Sequence, residues 1–223
     1  MIDEPYEVVA PALQAASHWC DILILHLNIK QCRLSRGDTL GVAIGRKYEQ
    51  PVEDAYPVEF GYKVLAADAD YLKVALDADS GPFGTRAYSI ALEATRIDAG
   101  RSFVHMSYSY EYGLAARLAM EAYLHTLGSG KVGFSVTGHR PDGQPIHVEG
   151  LRGVLERNAM RYFLAIDVYL DSLKAPAAQQ VEQRLRDWYA GTERYATQLH
   201  ELERDEYLEM KRREIARQEK PEP

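Results

Sequence analysis

The chain has 223 residues, with 26 Lys and Arg against 33 Asp and Glu and a formal net charge of −7. Apolar residues make up 46% and charged residues 26%, a balance too apolar for a disordered chain and too acidic for one that lives on non-specific contact with nucleic acid. The longest apolar stretch, Ile22 to Leu27, falls far short of the roughly 20 residues of a membrane helix, so no integral membrane segment and no nucleic-acid partner are expected.

Helical spacing of Leu13, Ala16, Cys20 and Leu23 predicts a helix from Pro11 to about His26, with Pro11 in its first turn, where its missing N–H costs nothing. From Ile29 to Leu34 the period shifts toward two, and Arg36-Gly37-Asp38 reads as a turn. A long β region follows. Leu40, Val42 and Ile44 alternate with small residues, and Arg46 to Glu49 is read as a continuation outward. Further strands are expected at Val58 to Val64, Tyr71 to Leu76, Tyr88 to Leu92 and Phe103 to Tyr112, with turns at Asp68-Ala69-Asp70, Ser80 to Gly84 and Asp98-Ala99-Gly100. Turns at such short intervals argue for an antiparallel meander and against parallel βαβ units.

Leu114 to Leu127 reads as a helix ended by Gly128-Ser129-Gly130. Alternation at Val132, Phe134 and Val136, and again at Ile146 and Val148 across Arg140-Pro141-Asp142-Gly143, predicts a hairpin. A broadly apolar helix is expected from about Gly153 to Leu173, stopped by Pro176. Beyond it the composition changes. Val181, Leu185, Trp188 and Tyr189 share a helical face that Gly191 breaks, and Thr192 would cap a second helix through Leu208. Past Glu201 the mixed charges, with pairs such as Glu209 and Arg213, read as a solvated helical appendage. The division expected is a domain over residues 1–175 and a charged helical extension over residues 176–223.

Most motif strings dissolve on context. Gly128 to Gly133 matches GxGxxG, but a helix pattern precedes it and a strand pattern follows, the reverse of a dinucleotide site. Asp68-Ala69-Asp70 and Asp77-Ala78-Asp79 lack the register of a calcium loop. No GxSxG, HExxH or Cys/His cluster occurs, so no metal and no cofactor is expected. Cys20 and Cys32 are either two reduced, partly buried thiols or a disulfide closing a short loop, which needs an oxidising compartment.

The unusual figure is 15 Tyr against 5 Phe and 2 Trp. Alternation places Tyr108, Tyr110 and Tyr112 on one strand face with Val104 and Met106, and Tyr88, Ile90 and Leu92 form a matching row. One reading is core under helices. The other is one wall of a ligand cavity, since tyrosine offers an apolar ring with a polar tip. His105 falls on the opposite strand face. Arg157 and Arg161, one helical turn apart, either receive an anionic headgroup or form ion pairs that tie the helix to the sheet or to the tail.

The order helix, meander, long helix, with Trp19-Cys20-Asp21 after Ala10-Pro11-Ala12, resembles the START-like helix-grip superfamily of polyketide cyclases, Bet v 1-like and lipid-transfer proteins. Gly81-Pro82-Phe83-Gly84-Thr85, Ser107 to Tyr110 and Arg157 to Tyr162 look like an uncharacterised bacterial branch of it. The resemblance covers roughly residues 5 to 173. It implies an α+β fold in which a curved antiparallel sheet grips a long C-terminal helix around a cavity. A first strand is usual in that superfamily, and here only Ile2 to Val9 is available for it. Related bacterial proteins look like exported precursors, which fits a Cys20–Cys32 disulfide. No export signal is visible, and the abrupt start suits a trimmed form, so a periplasmic and a cytoplasmic location both stay open.

The function expected from the resemblance is non-catalytic binding or carriage of a hydrophobic ligand, lipid or polyketide-like. Tyr88, Ile90, Met106, Tyr108 and Tyr110 would line the sheet wall, and Met160, Arg161, Phe163 and Leu164 the helix side. Two alternatives stand beside it. One is a cyclase or aromatase-like enzyme using His105, Glu111 or Arg161 as acid or base. The other is an interaction module with a filled core, whose C-terminal helices bind a protein partner.

Overall fold

The computed structural model describes residues 1–35, 37–114, 117, 118, 122 and 130–218. Most of the helix expected between Leu114 and Leu127, and Gly128-Ser129 of the segment expected to end it, lie outside the described residues. Six strands form one antiparallel sheet in sequence order: β1 (Ile29–Ser35), β2 (Thr39–Ile44), β3 (Tyr56–Ala67), β4 (Tyr71–Ser80), β5 (Arg86–Arg96) and β6 (Ser102–Glu111). The protein is therefore an α+β fold built on a meander. A short second sheet pairs β7 (Val136–His139) with β8 (Pro145–His147). The turn Arg140 to Gly143 joins them, and Gly133, Ser135 and Val148 extend their pairing as irregular backbone.

Register turns the period-two pattern into a wall. Tyr62 pairs with Leu76, Leu76 with Ile90 and Ile90 with Tyr108, so one row of inward side chains crosses four strands. Val74, Leu92 and Met106 make the next row. The opposite face carries Glu59, Lys63, Glu93 and His105, as a half-wetted antiparallel sheet requires. Turn side chains close the strands locally: Asp68 Oδ1 accepts the amides of Asp70 and Tyr71 at 3.0 and 2.8 Å, and Asp98 Oδ1 accepts that of Gly100 at 3.0 Å.

Two helices, not one, precede the sheet: α1 (Tyr6–Gln14) and α2 (Ala16–Leu23). Pro11 lies inside α1 and not in its first turn. It cannot donate to the carbonyl one turn back, and the chain leaves the helix at Ala15 (φ −83°, ψ 115°). Side chains take up the carbonyls freed there. Trp19 Nε1 donates to Leu13 O at 2.9 Å, and the Tyr62 hydroxyl bonds Leu13 O and Gln14 O at 3.0 and 2.9 Å. No strand forms over Ile2 to Val9: the segment makes a single bridge, Ile2 to Ser102 at the start of β6, and is helical from Tyr6 onward. The outward strand expected at Arg46 to Glu49 is absent: β2 ends at Ile44, and Gln50 Oε1 accepts the Arg46 amide at 2.7 Å to shape a loop.

The long helix α3 runs from Gly150 to Ser172, starting three residues earlier than its apolar pattern. Glu156 on its second turn holds the hairpin segment. Its carboxylate accepts the amides of Phe134 and Ser135, each at 2.8 Å, and the Ser135 hydroxyl at 2.7 Å. Then follow α4 (Ala177–Glu193), the short α5 (Ala196–Leu199) and α6 (Arg204–Gln218). Gly191 does not break α4. It lies within the helix because a Cβ there would stand 3.3 Å from Leu164, so glycine lets α4 pack closely on α3. Thr192 is not a cap either; its hydroxyl bonds Tyr189 O at 2.8 Å inside α4.

The charged segment beyond Glu201 is not solvated on all sides. Tyr207, Leu208 and Met210 are buried in the same apolar core as Val9, Leu40 and Leu164. The Tyr207 hydroxyl donates to Leu25 O at 3.0 Å and its ring stacks on Trp188 at 5.0 Å. Lys211 and Glu214 are fully buried against Lys30 of β1. The charges that face water, such as Arg213 and Glu209 at 2.7 Å, occupy only the outer side of α6.

Candidate functional site

Between the inner sheet face and helices α2 and α3 lies an apolar cavity of about 60 Å³ that is not sealed from solvent. The sheet contributes Val42 and Ile44 from β2, Phe60 from β3, Leu76 from β4, Tyr88 and Ile90 from β5, and Met106 and Tyr108 from β6. Ile29 comes from β1. Trp19, Ile22 and Leu23 close it from α2, and Ala159, Tyr162 and Ile166 from α3. Ala159, Tyr162 and Ile166 are three and seven positions apart, one stripe of a helix.

Tyr88 organises the sheet side. A bulge between Arg86 and Ser89, with Ala87 at φ 50°, turns its ring inward. The ring stands against Gly81, where a Cβ would meet Tyr88 Cε2 at 2.4 Å. Its hydroxyl bonds the Thr85 hydroxyl at 2.6 Å. Tyr110 stacks behind it at 5.3 Å, and Phe60 and Tyr108 meet its ring at 6.1 and 6.3 Å. Burial raises the pKa of Tyr88, Tyr108 and Tyr162 above the ordinary tyrosine value, so all three hydroxyls stay neutral at physiological pH. Tyr162 stacks on the buried imidazole of His26 at 4.6 Å. Desolvation, with Arg161 and Lys211 nearby, holds His26 well below the ordinary histidine pKa, so that ring is neutral too.

Of the residues expected at the site, Tyr88, Ile90, Met106 and Tyr108 line the cavity. Tyr110 shares their face but stands behind Tyr88, and Tyr112 is exposed. The helix side is misphased. Met160 and Phe163 are half-buried outside the lining, and Leu164 faces α4 at Gly191. Arg161 is buried away from the cavity, where it donates to Glu201 at 2.8 Å and to Leu199 O at 3.2 Å. Because α3 carries apolar residues around much of its circumference, its pattern does not mark which stripe faces the sheet. The other lining residues that sequence reasoning missed, Trp19, Ile22 and Leu23 above all, follow from α2 lying across the sheet, which no local pattern in the chain specifies.

The candidates for acid or base chemistry lie elsewhere. His105 sits on the outer sheet face 3.4 Å from Glu93, whose carboxylate also receives the Tyr71 hydroxyl. Glu111 pairs with Arg86 at 2.9 Å in solvent. Arg157 is buried and donates to Val132 O at 3.2 Å. Neither Arg157 nor Arg161 is presented to an external headgroup; Arg161 ties α3 to the tail. Cys20 and Cys32 are joined in a disulfide, which fastens α2 to β1. Among the described residues no helix is long and apolar enough to cross a membrane, and no group of His, Cys, Asp and Glu could hold a metal ion.

Compared with protein-family models, curated proteins and solved structures, the chain has no match. The case for a function therefore rests on the cavity.

Proposed function

We propose that this protein binds a hydrophobic small molecule in the cavity between its sheet and helices, as a non-catalytic binder or carrier of the START-like helix-grip kind. The observation that carries this reading is the lining itself: aliphatic and aromatic side chains from all six strands of the sheet and from α2 and α3, with polar atoms supplied almost only by tyrosine hydroxyls. Burying apolar ligand surface contributes about 25 cal/mol per Å², and a few hydroxyls set orientation. Ligand pockets commonly hold about 300 to 1,000 Å³, so a lipid or an extended polyketide-like molecule would have to displace the walls, while a compact one needs less. The acid and base candidates lie off this cavity, which favours carriage over catalysis. Native mass spectrometry of protein purified from its host tests the reading. A co-purified hydrophobic molecule is expected; its absence, together with no uptake of fluorescent lipids or small aromatics, overturns it.

A further inference from the structure

We infer that the cavity selects a compact, neutral ligand with an apolar body and one hydrogen-bond acceptor, such as a ketone or ester, held by the hydroxyls of Tyr108 and Tyr162. This rests on the ligand-binding reading above and narrows it. The two residues line the cavity from different walls, Tyr108 on β6 and Tyr162 on α3. Tyr88 already spends its hydroxyl on Thr85. Among the described residues, neither the Tyr108 nor the Tyr162 hydroxyl has a hydrogen-bond partner, and neither is among the polar atoms sealed from solvent without one. Both hydroxyls therefore touch open space, and the open space the two residues share is the cavity. Tyr162 is also close enough to help raise the pKa of Tyr108, which places the two in one neighbourhood. Two O–H donors from opposite walls match the two lone pairs of one carbonyl oxygen.

The rest of the lining decides charge and size. Among the described residues no charged side chain lines the cavity, so a carboxylate or ammonium there would lose its hydration without a counter-ion. A neutral carbonyl loses less and is repaid by the two donors. The volume of about 60 Å³ is below the roughly 150 Å³ of a cavity that takes benzene. A single ring therefore needs the smaller displacement of the lining, and a long acyl chain a larger one of walls that include α2. The Cys20–Cys32 disulfide fastens that helix to β1.

The test compares acetophenone with ethylbenzene, which differ by a carbonyl in place of a methylene, and adds palmitate as the long-chain probe. The Met106 methyl resonance reports occupancy of the cavity by NMR titration. Acetophenone is expected to shift it and to bind at least as tightly as ethylbenzene, despite the higher cost of taking a ketone out of water. The double variant Tyr108→Phe with Tyr162→Phe should weaken acetophenone about 3- to 10-fold, the worth of a lost hydrogen bond, and leave ethylbenzene unchanged. The ethylbenzene response also shows that the variant keeps its cavity. If both ligands bind and neither responds to the double variant, the role of the hydroxyls is overturned while the cavity stands. If palmitate shifts Met106 at lower concentration than either aromatic, the size limit is overturned. If nothing shifts Met106, the binding reading itself fails and this inference with it.

Discussion

Lys30 Nζ and Glu214 Oε1 lie 3.0 Å apart, both fully buried, although 184 positions separate them in the chain. The other carboxylate oxygen accepts Lys211 Nζ at 2.7 Å, and Lys211 spends its remaining donors on His26 O and Ile29 O at 2.7 and 2.9 Å. One carboxylate thus stands between two ammonium groups at the seam of α6 and β1. Removing one partner of a buried ion pair leaves charge without compensation and costs about 3 to 5 kcal/mol. Glu214→Gln should therefore lower the unfolding free energy measured in urea by an amount of that order. Arg213→Ala, on the exposed side of the same helix, should change stability by about 0.5 kcal/mol or less. Equal effects of the two would mean that α6 does not dock on β1.

Glu156 gives the fold an acid limit. Desolvation raises its pKa, but the amide and hydroxyl of Ser135, the Phe134 amide and Arg152 outweigh this and bring it down to about 2. Its folded pKa is thus depressed, so between the ordinary carboxylate value and about 2 the unfolded chain binds more protons. The contribution is complete above the ordinary value and is lost as pH falls toward about 2. Glu156→Gln should cost about 1 to 3 kcal/mol at pH 7, because two half-buried amides lose a charged acceptor. The gap to the parent should close as pH falls through the acid range. Melting curves over a pH series check this, and a constant gap would refute it.

The Cys20–Cys32 disulfide closes a loop of sequence separation 12 and ties together two elements that wall the cavity. Loop-closure entropy assigns such a bond roughly 3 kcal/mol. Cys20→Ser with Cys32→Ser should lower stability by that order. It should also relax the size limit, so that palmitate gains affinity relative to acetophenone. Loss of stability with an unchanged ligand preference would show that the bond acts on the fold alone.

The meander was legible because period two and turn chemistry are local: Leu40 and Val42, or Val74 and Leu76, face inward whatever surrounds the sheet. The same alternation placed Tyr88 and Tyr108 on facing strands before any register was known. The helix side was not legible. Met160, Phe163 and Leu164 are as apolar as Ala159, Tyr162 and Ile166, and only packing of α4 at Gly191 decides which stripe turns away from the sheet. The tail misled for a related reason. Lys211 and Glu214 read as solvated charges, and they are buried only because each meets its opposite, with Lys30 supplied from the far end of the sequence.

Gly81 carries the last expectation. Its φ of −155° is ordinary extended backbone, so the glycine is required by proximity and not by conformation. A Cβ would meet two ring carbons and the hydroxyl oxygen of Tyr88 at 2.4 to 2.8 Å. That ring cannot retreat toward Tyr110, stacked 5.3 Å away, nor toward Phe60, whose ring meets it edge-on at 6.1 Å. In Gly81→Ala the ring must tip into the cavity or break its bond with Thr85. Overpacking of this kind costs about 1 to 3 kcal/mol, and a ring tipped inward occupies the space a ligand would use. Gly81→Ala should therefore melt earlier and lose affinity for ethylbenzene and acetophenone alike, by about 10-fold or more if the displaced contacts amount to about 1.4 kcal/mol. Adding Tyr88→Val to Gly81→Ala removes the clash and should restore ethylbenzene binding. An alanine variant that binds both aromatics with parental affinity would show that Tyr88 does not form the cavity wall.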